Sequence, residues 1–215
     1  MPVRLAMFDC DGTLVDSQAN ICRAMEEAFL LSGLEPPPRP ATRRIVGLSL
    51  VEAMRALRPD ADWAKLAADY KAVFHRLRTS GELDDEPLFE GVAEVIERLA
   101  DAGWTLGVAT GKSDRGLAHV LARHGLTHRF ATLQTADRHP SKPDPSMLLA
   151  AMAETGAQPH MAAMIGDTSF DMAMARAAGM RAVGVAWGYH AVTELADAGA
   201  DVVATHARDL PGLLA

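Results

Sequence analysis

Two carboxylates stand two residues apart in Asp9-Cys10-Asp11-Gly12-Thr13, directly after the apolar run Val3-Arg4-Leu5-Ala6-Met7-Phe8. Such a run, ended by acidic and glycine residues, reads as a buried strand opening into a turn. Alternate side chains of a strand share a face, so Asp9 and Asp11 can converge on one reacting group while Cys10 points the other way. Gly12 lets the backbone turn tightly and approach a ligand. Three more polar clusters follow strands or precede helices. Val108-Ala109-Thr110-Gly111-Lys112-Ser113 ends a strand with a hydroxyl and a glycine. Ser141-Lys142-Pro143-Asp144-Pro145 places a lysine just before a helix, its prolines setting the approach. Ile165-Gly166-Asp167-Thr168-Ser169-Phe170-Asp171 ends another strand with two acids four residues apart.

Each cluster also has a plain structural role. Thr110-Gly111 can cap a helix, Lys142 can sit in solvent, Asp167 can cap a helix and Asp171 can complement its dipole. Their order along the chain carries more than any one of them. A nucleotide-phosphate loop around Gly111-Lys112-Ser113 is excluded by spacing. The glycine that loop requires five residues before Gly111 is Leu106, and Gly107 falls one residue late.

The elements that must position these residues follow from periodicity. Ile21, Met25, Ala28 and Phe29 recur at helical spacing after Ser17, a candidate N-cap. The run Pro36-Pro37-Pro38-Arg39-Pro40 breaks that helix, and helical patterns resume over 41–57 and 62–79. From there strands and helices alternate. The strands are predicted at Trp104–Ala109, Phe130–Gln134, Met161–Ile165, Arg181–Ala186 and Asp201–Val203, with helices at 91–102, 114–124, 145–156, 169–178, 191–198 and 208–214. That rhythm implies an α/β fold, a doubly wound parallel sheet with crossover helices on both faces. The predicted organisation is a catalytic core of residues 1–15 and 87–215, interrupted by an all-helical insertion at 16–86 that could close over the strand ends.

Composition bounds the function classes. The chain has 215 residues, 49% of them hydrophobic, enough for one core plus an insertion. A net charge of −7 argues against a nucleic-acid partner but admits a small anionic substrate where local groups supply a positive field. Two cysteines, Cys10 and Cys22, make a disulfide framework improbable and favour a reducing compartment. Neither a signal-peptide pattern nor a run of the ~20 apolar residues that span a bilayer occurs, so a cytoplasmic protein without a membrane partner is expected. Monomer and homodimer both remain open.

The succession of Asp-x-Asp-Gly-Thr, Thr, Lys and Gly-Asp-x-x-x-Asp resembles the haloacid dehalogenase-like superfamily of phosphohydrolases and phosphotransferases. The match runs from Phe8 to the far C-terminus. The resemblance implies a Rossmann-like core with Asp9 as nucleophile, forming an aspartyl-phosphate. Asp11 would act as the acid that protonates the leaving oxygen and then as the base that activates water. It implies Mg²⁺ held by Asp9, the Asp11 main-chain carbonyl and Asp167, with Asp171 a ligand or close neighbour. Gly12, Thr110, Gly111 and Lys142 would surround the phosphate.

The dehalogenase and phosphonate-cleaving branches lack an acid at the position of Asp11, which favours a phosphoester here. The sugar-phosphate mutase branch carries a cap histidine where this chain has Ile21. The helical insertion resembles the small α-helical cap of the superfamily, with Asp16, Ser17, Arg43, Arg44 and the Gly47-Leu48-Ser49 turn as candidate substrate contacts. Val185-Ala186-Trp187-Gly188-Tyr189-His190 resembles the phosphoglycolate phosphatase-like branch, which makes 2-phosphoglycolate the expected substrate. Pyrophosphate, sugar phosphates with water or another acceptor, and a non-catalytic phosphate-binding role stay open. His139 is a further candidate for substrate binding. Zinc is not expected, because Gly125 separates His124 from His128.

Overall fold

The computed structural model describes residues 2–215. Its centre is a six-stranded parallel sheet in the order β3-β2-β1-β4-β5-β6. The strands are β1 (Leu5–Phe8), β2 (Thr105–Thr110), β3 (Thr132–Thr135), β4 (Ala162–Gly166), β5 (Arg181–Val185) and β6 (Val202–Ala204). The chain winds outward from β1 to β3, then returns to lay β4 beside β1. The carboxyl ends of β1 and β4 therefore flank the topological switch point, where open α/β sheets form their ligand crevice.

Four helices, α1 (Gln18–Leu31), α2 (Arg39–Arg44), α3 (Leu50–Leu57) and α4 (Trp63–Thr79), lie between β1 and the next core helix, α5 (Val92–Asp101). The remaining helices are α6 (Asp114–Arg123), α7 (Ser146–Thr155), α8 (Ser169–Ala177), α9 (Val192–Asp197) and α10 (Leu210–Leu214). The chain leaves the sheet and comes back along one path. Phe89 N–H bonds the Leu14 carbonyl at 3.0 Å and Asp16 N–H the Pro87 carbonyl at 3.0 Å.

Alternation along β1 builds the core. Ala6, Phe8 and Cys10 enter one apolar layer with Leu106, Val108 and Ile165. Leu5 and Met7 enter the layer on the opposite face with Met147, Met164 and Met172. The helical block has its own apolar interior, in which Met25 and Phe29 of α1 meet Met54 of α3 and Leu66 of α4.

Sequence expectations differ from the structure at a few ends. β2 runs one residue further, to Thr110, and β4 to Gly166, because Thr110 pairs with Thr135 and Gly166 with Gly184 in the ladder. The single helical pattern over 41–57 is two helices, parted at Gly47, whose φ of +101° no helix accepts. The proline run does not exclude a helix either. α2 starts at Arg39 with Pro40 in its first turn, where the missing amide hydrogen has no helical partner to lose. Among the described residues, no helix is long and apolar enough to cross a membrane.

Candidate active site

The switch point gathers the acids of two strands. One carboxylate oxygen from each of Asp9, Asp167 and Asp171 lies within 4.8 Å of the others, and all three side chains are buried. Asp9 follows β1 and Asp167 follows β4, strands paired in parallel, with Phe8 beside Ile165. Asp171 reaches the same place from the first turn of α8. There it forms a capping box with Thr168, accepting from the Thr168 amide at 3.0 Å and its hydroxyl at 2.7 Å. Asp167 is held by the Thr13 hydroxyl at 2.8 Å and the Tyr189 amide at 2.9 Å.

Gly12 is required by this packing. Its φ is +87°, and a Cβ there would stand 2.2 Å from Asp167 Oδ2. Thus Gly12 makes room for an acid rather than merely for a turn.

Lys142 is almost fully buried, with Nζ 2.8 Å from Asp9 Oδ1 and 2.6 Å from Asp171 Oδ1. Burial disfavours its ammonium, but Asp171 and Asp9 outweigh burial and hold it above its usual range. Asp9 is less well served. Its Oδ2 has no hydrogen-bond partner, and Oδ1 meets only the Lys142 ammonium. Burial pushes Asp9 up to about 7, Lys142 opposes that, and Asp171 adds to it. Burial and the neighbouring Asp9 and Asp171 charges likewise push Asp167 up.

Three carboxylates against one ammonium leave two negative charges, and the donors are hard oxygens. That set fits a hard divalent cation. Added Mg²⁺ should therefore raise the melting temperature at pH 8 by about 5–10 °C at a hundredfold excess over Kd, and far less at pH 5. The sign follows from Asp9. Its folded value lies above the ordinary 3.8, so the proton competes with the cation until pH rises through about 7. Equal thermal shifts at pH 5 and pH 8 would contradict this site.

Asp11 faces a different set. Its carboxylate is outside the three-acid group, and its Oδ1 takes both the Lys112 ammonium at 2.6 Å and the Ser17 hydroxyl. No hydrogen bond reaches Oδ2 among the described residues. Ser17 stands at the N-cap of α1, as the sequence predicts, but its side chain makes no capping bond; its hydroxyl turns to Asp11 instead. The sequence around Lys112 lacks the glycine of a phosphate loop and so gives this lysine no role, yet it is the cation that Asp11 meets. Burial works against the Lys112 ammonium, while Asp11 and Cys10 raise it above its usual range. Only the tertiary pairing marks this lysine, since nothing in Gly111-Lys112-Ser113 separates it from a solvated one.

Thr110 ends β2 fully buried, its hydroxyl accepting from the Lys112 amide at 3.2 Å. Gly111 lies directly against the helical block. A Cβ there would lie 2.3 Å from the Leu48 carbonyl oxygen. Other bonds seat the block on the core: the Ser49 amide donates to the Ser141 hydroxyl at 2.8 Å, and Arg44 pairs with Glu194. Arg43 lies over the Tyr189 ring, 5.7 Å from its centroid. The Tyr189 oxygen accepts from the Ser17 amide at 3.2 Å, tying the last core loop to the exit of the first. His139 is not part of this arrangement; its Nε2 lies 2.8 Å from Gln134 Oε1.

Cys10 is buried in the apolar layer with Phe8 and Leu14, and burial raises its thiol well above the usual value. Cys10→Ala should keep activity within a few-fold of wild type. A loss comparable to that of Asp9→Asn would overturn the alternation on which the site rests.

Comparison with known proteins identifies relatives of the whole chain. A family model of haloacid dehalogenase-like hydrolases matches residues 6–185. A probable phosphatase, IndB, from Dickeya dadantii is 38% identical over 207 residues, covering 93% of this chain and 88% of that protein. A phosphoglycolate phosphatase from Agrobacterium fabrum is 31% identical, covering 86% of this chain and 81% of its own. In structure, a haloacid dehalogenase-like hydrolase from Streptococcus pneumoniae superimposes with a TM-score of 0.86 over 99% of both chains at 22% identity.

Proposed function

As a member of the haloacid dehalogenase-like hydrolase family this chain is a phosphatase, and we propose that it hydrolyses a small phosphate monoester through a phosphorylated Asp9 with Mg²⁺ as cofactor. The observation that carries this reading is the buried Asp9 carboxylate, whose Oδ2 lacks any hydrogen-bond partner while Lys142 and two further acids surround it. An oxygen so placed is free to form a bond to phosphorus.

Asp9 attacks the phosphorus as the ester bond to the leaving oxygen breaks, and Asp11 gives that oxygen its proton. Asp11 then takes a proton from water, which attacks the phosphorus and breaks its bond to Asp9, releasing phosphate. Mg²⁺ bound by Asp9, Asp167 and the Asp11 carbonyl would supply positive charge to the phosphoryl oxygens. Thr110, the Gly111 amide and Lys142 orient those oxygens and neutralise part of their charge. Three hydrogen bonds already occupy Asp171, from Lys142 and twice from Thr168, which suits it to orienting Lys142 more than to binding the cation directly.

The helical block at 16–86 is assigned the role of a cap that selects the leaving group. Among candidate substrates 2-phosphoglycolate comes first, on the relative that carries that activity in its name. The test is phosphate release from phosphoglycolate, pyrophosphate and hexose phosphates, with Mg²⁺ and with chelator. Metal-dependent release from one of them is the expected result. Release that chelator leaves unchanged would overturn the role given to Mg²⁺, and isomer formation from hexose phosphates in place of free phosphate would replace hydrolysis by transfer.

A further inference from the structure

The cavity between the helical block and the core has a volume of about 460 Å³. Asp11 and Lys112 line it from the core, and Ile21, Met25, Tyr70 and Phe74 contribute apolar wall. Such a volume suits ligands of drug-like size. It exceeds what a two-carbon acid fills, although the block is already seated on the core through the Gly111–Leu48 and Ser49–Ser141 contacts.

Four basic side chains also line the cavity. Lys71, His75 and Arg78 project from one side of α4, and Arg115 comes from α6 of the core. Arg78 and Arg115 converge on a single atom, their Nη2 atoms lying 3.4 and 3.3 Å from His75 Nδ1. Two guanidinium groups sharing one imidazole acceptor repel each other, and no carboxylate within 4 Å offsets them among the described residues. Most arginines of this acidic chain do have such a partner, as Arg23, Arg76 and Arg138 illustrate. The acids of the cavity are engaged elsewhere: Asp11 by Lys112 and Asp137 by the Asp114 amide at 2.8 Å. The cluster also bridges block and core, so an anion bound there would hold the two together over the reacting centre.

We infer that the substrate carries a second anionic group, separated from its reacting phosphate by the length of this cavity, and that Arg78 and Arg115 receive it. This rests on the phosphatase reading and narrows it. Phosphoglycolate is then the shortest member of the substrate class, and longer members fit better. Guanidinium forks suit either a carboxylate or a second phosphate.

Alkyl phosphates of two to six carbons ending in methyl, carboxylate or a second phosphate test this, with kcat/KM measured for wild type and for the Arg78→Gln/Arg115→Gln variant. Wild type should favour the anionic ends over methyl by tenfold or more at the longer lengths, and the variant should bring that ratio close to one. Whichever of carboxylate and phosphate gives the larger ratio identifies the group. No preference in wild type, or a preference that survives in the variant, overturns the inference. Calorimetric binding of the same esters to Asp9→Asn with Mg²⁺ separates this from the phosphatase reading. Arginine-dependent selectivity in binding without turnover by wild type would sink the phosphatase reading alone. Unselective binding would sink the second-anion site whatever the turnover.

Discussion

Asp9→Asn should lower phosphate release by about 10⁴-fold or more and, in the same protein without metal, raise the melting temperature at pH 8. The loss follows because the amide cannot form the phosphorylated intermediate. The gain follows from the surroundings of Asp9. A carboxylate raised from an ordinary 3.8 to about 7 by burial penalises the folded state only where the group is ionised. The penalty is absent below about pH 4, grows between there and pH 7, and is complete above. Replacing the carboxylate should therefore recover roughly 2–4 kcal/mol above pH 7, or about 5–10 °C, and little at pH 4. Thermal unfolding of both proteins in chelator, at pH 4 and pH 8, measures it. Turnover that survives in Asp9→Asn would remove Asp9 from the reaction.

Lys142→Met should be the most damaging single change to stability in the site. The side chain is of similar length, so packing is largely kept, but Asp9 and Asp171 lose the cation at 2.8 and 2.6 Å that offsets them. Breaking a buried pair from one side costs about 3–5 kcal/mol, and a chain of this length loses roughly 2–4 °C per kcal/mol. A fall of about 10 °C or more is expected at pH 8, together with loss of turnover. The pH dependence has a defined origin. Lys142 is raised above its usual value, so its own contribution holds throughout the neutral range and disappears only at higher pH. The variant should thus be least impaired near pH 5, where Asp9 takes up a proton. A melting temperature unchanged at pH 8 would mean that the acids have another source of positive charge.

Much of this was legible one residue at a time. The unbroken apolar run Leu5-Ala6-Met7-Phe8 announces a buried strand, and the glycine and acids after it announce its end. Repetition of that pattern yields a parallel sheet, because crossover helices separate the strands. The residues were legible where the chemistry needs an unusual type at an unusual place: two acids astride Cys10, a lysine between prolines, two acids around Thr168. Lys112 and the Arg78–His75–Arg115 cluster were not, because lysine and arginine on helix ends are ordinary until their partners are known. Ser17 was legible as the N-cap of α1, but the partner of its hydroxyl was not. A serine before a helix normally caps it, and only Asp11, six residues earlier but folded back by the Gly12 turn, draws its hydroxyl away.

The sequence by itself determined the class of fold, the order of its elements and which acids and lysine gather at the switch point. These depend on period, turn residues and side-chain type, all of which are local. Tertiary structure alone decided that Asp9 would be buried beside two further acids, that Lys142 would bridge Asp9 and Asp171, and that Asp11 would meet Lys112 and Ser17. It also decided the size of the cavity and the charge of its mouth. Those outcomes depend on which strand lies beside which, and on how the helical block seats against Gly111 and Ser141. Electrostatic balance in a buried site is a sum over neighbours, and the sequence names the groups without saying which of them will be neighbours.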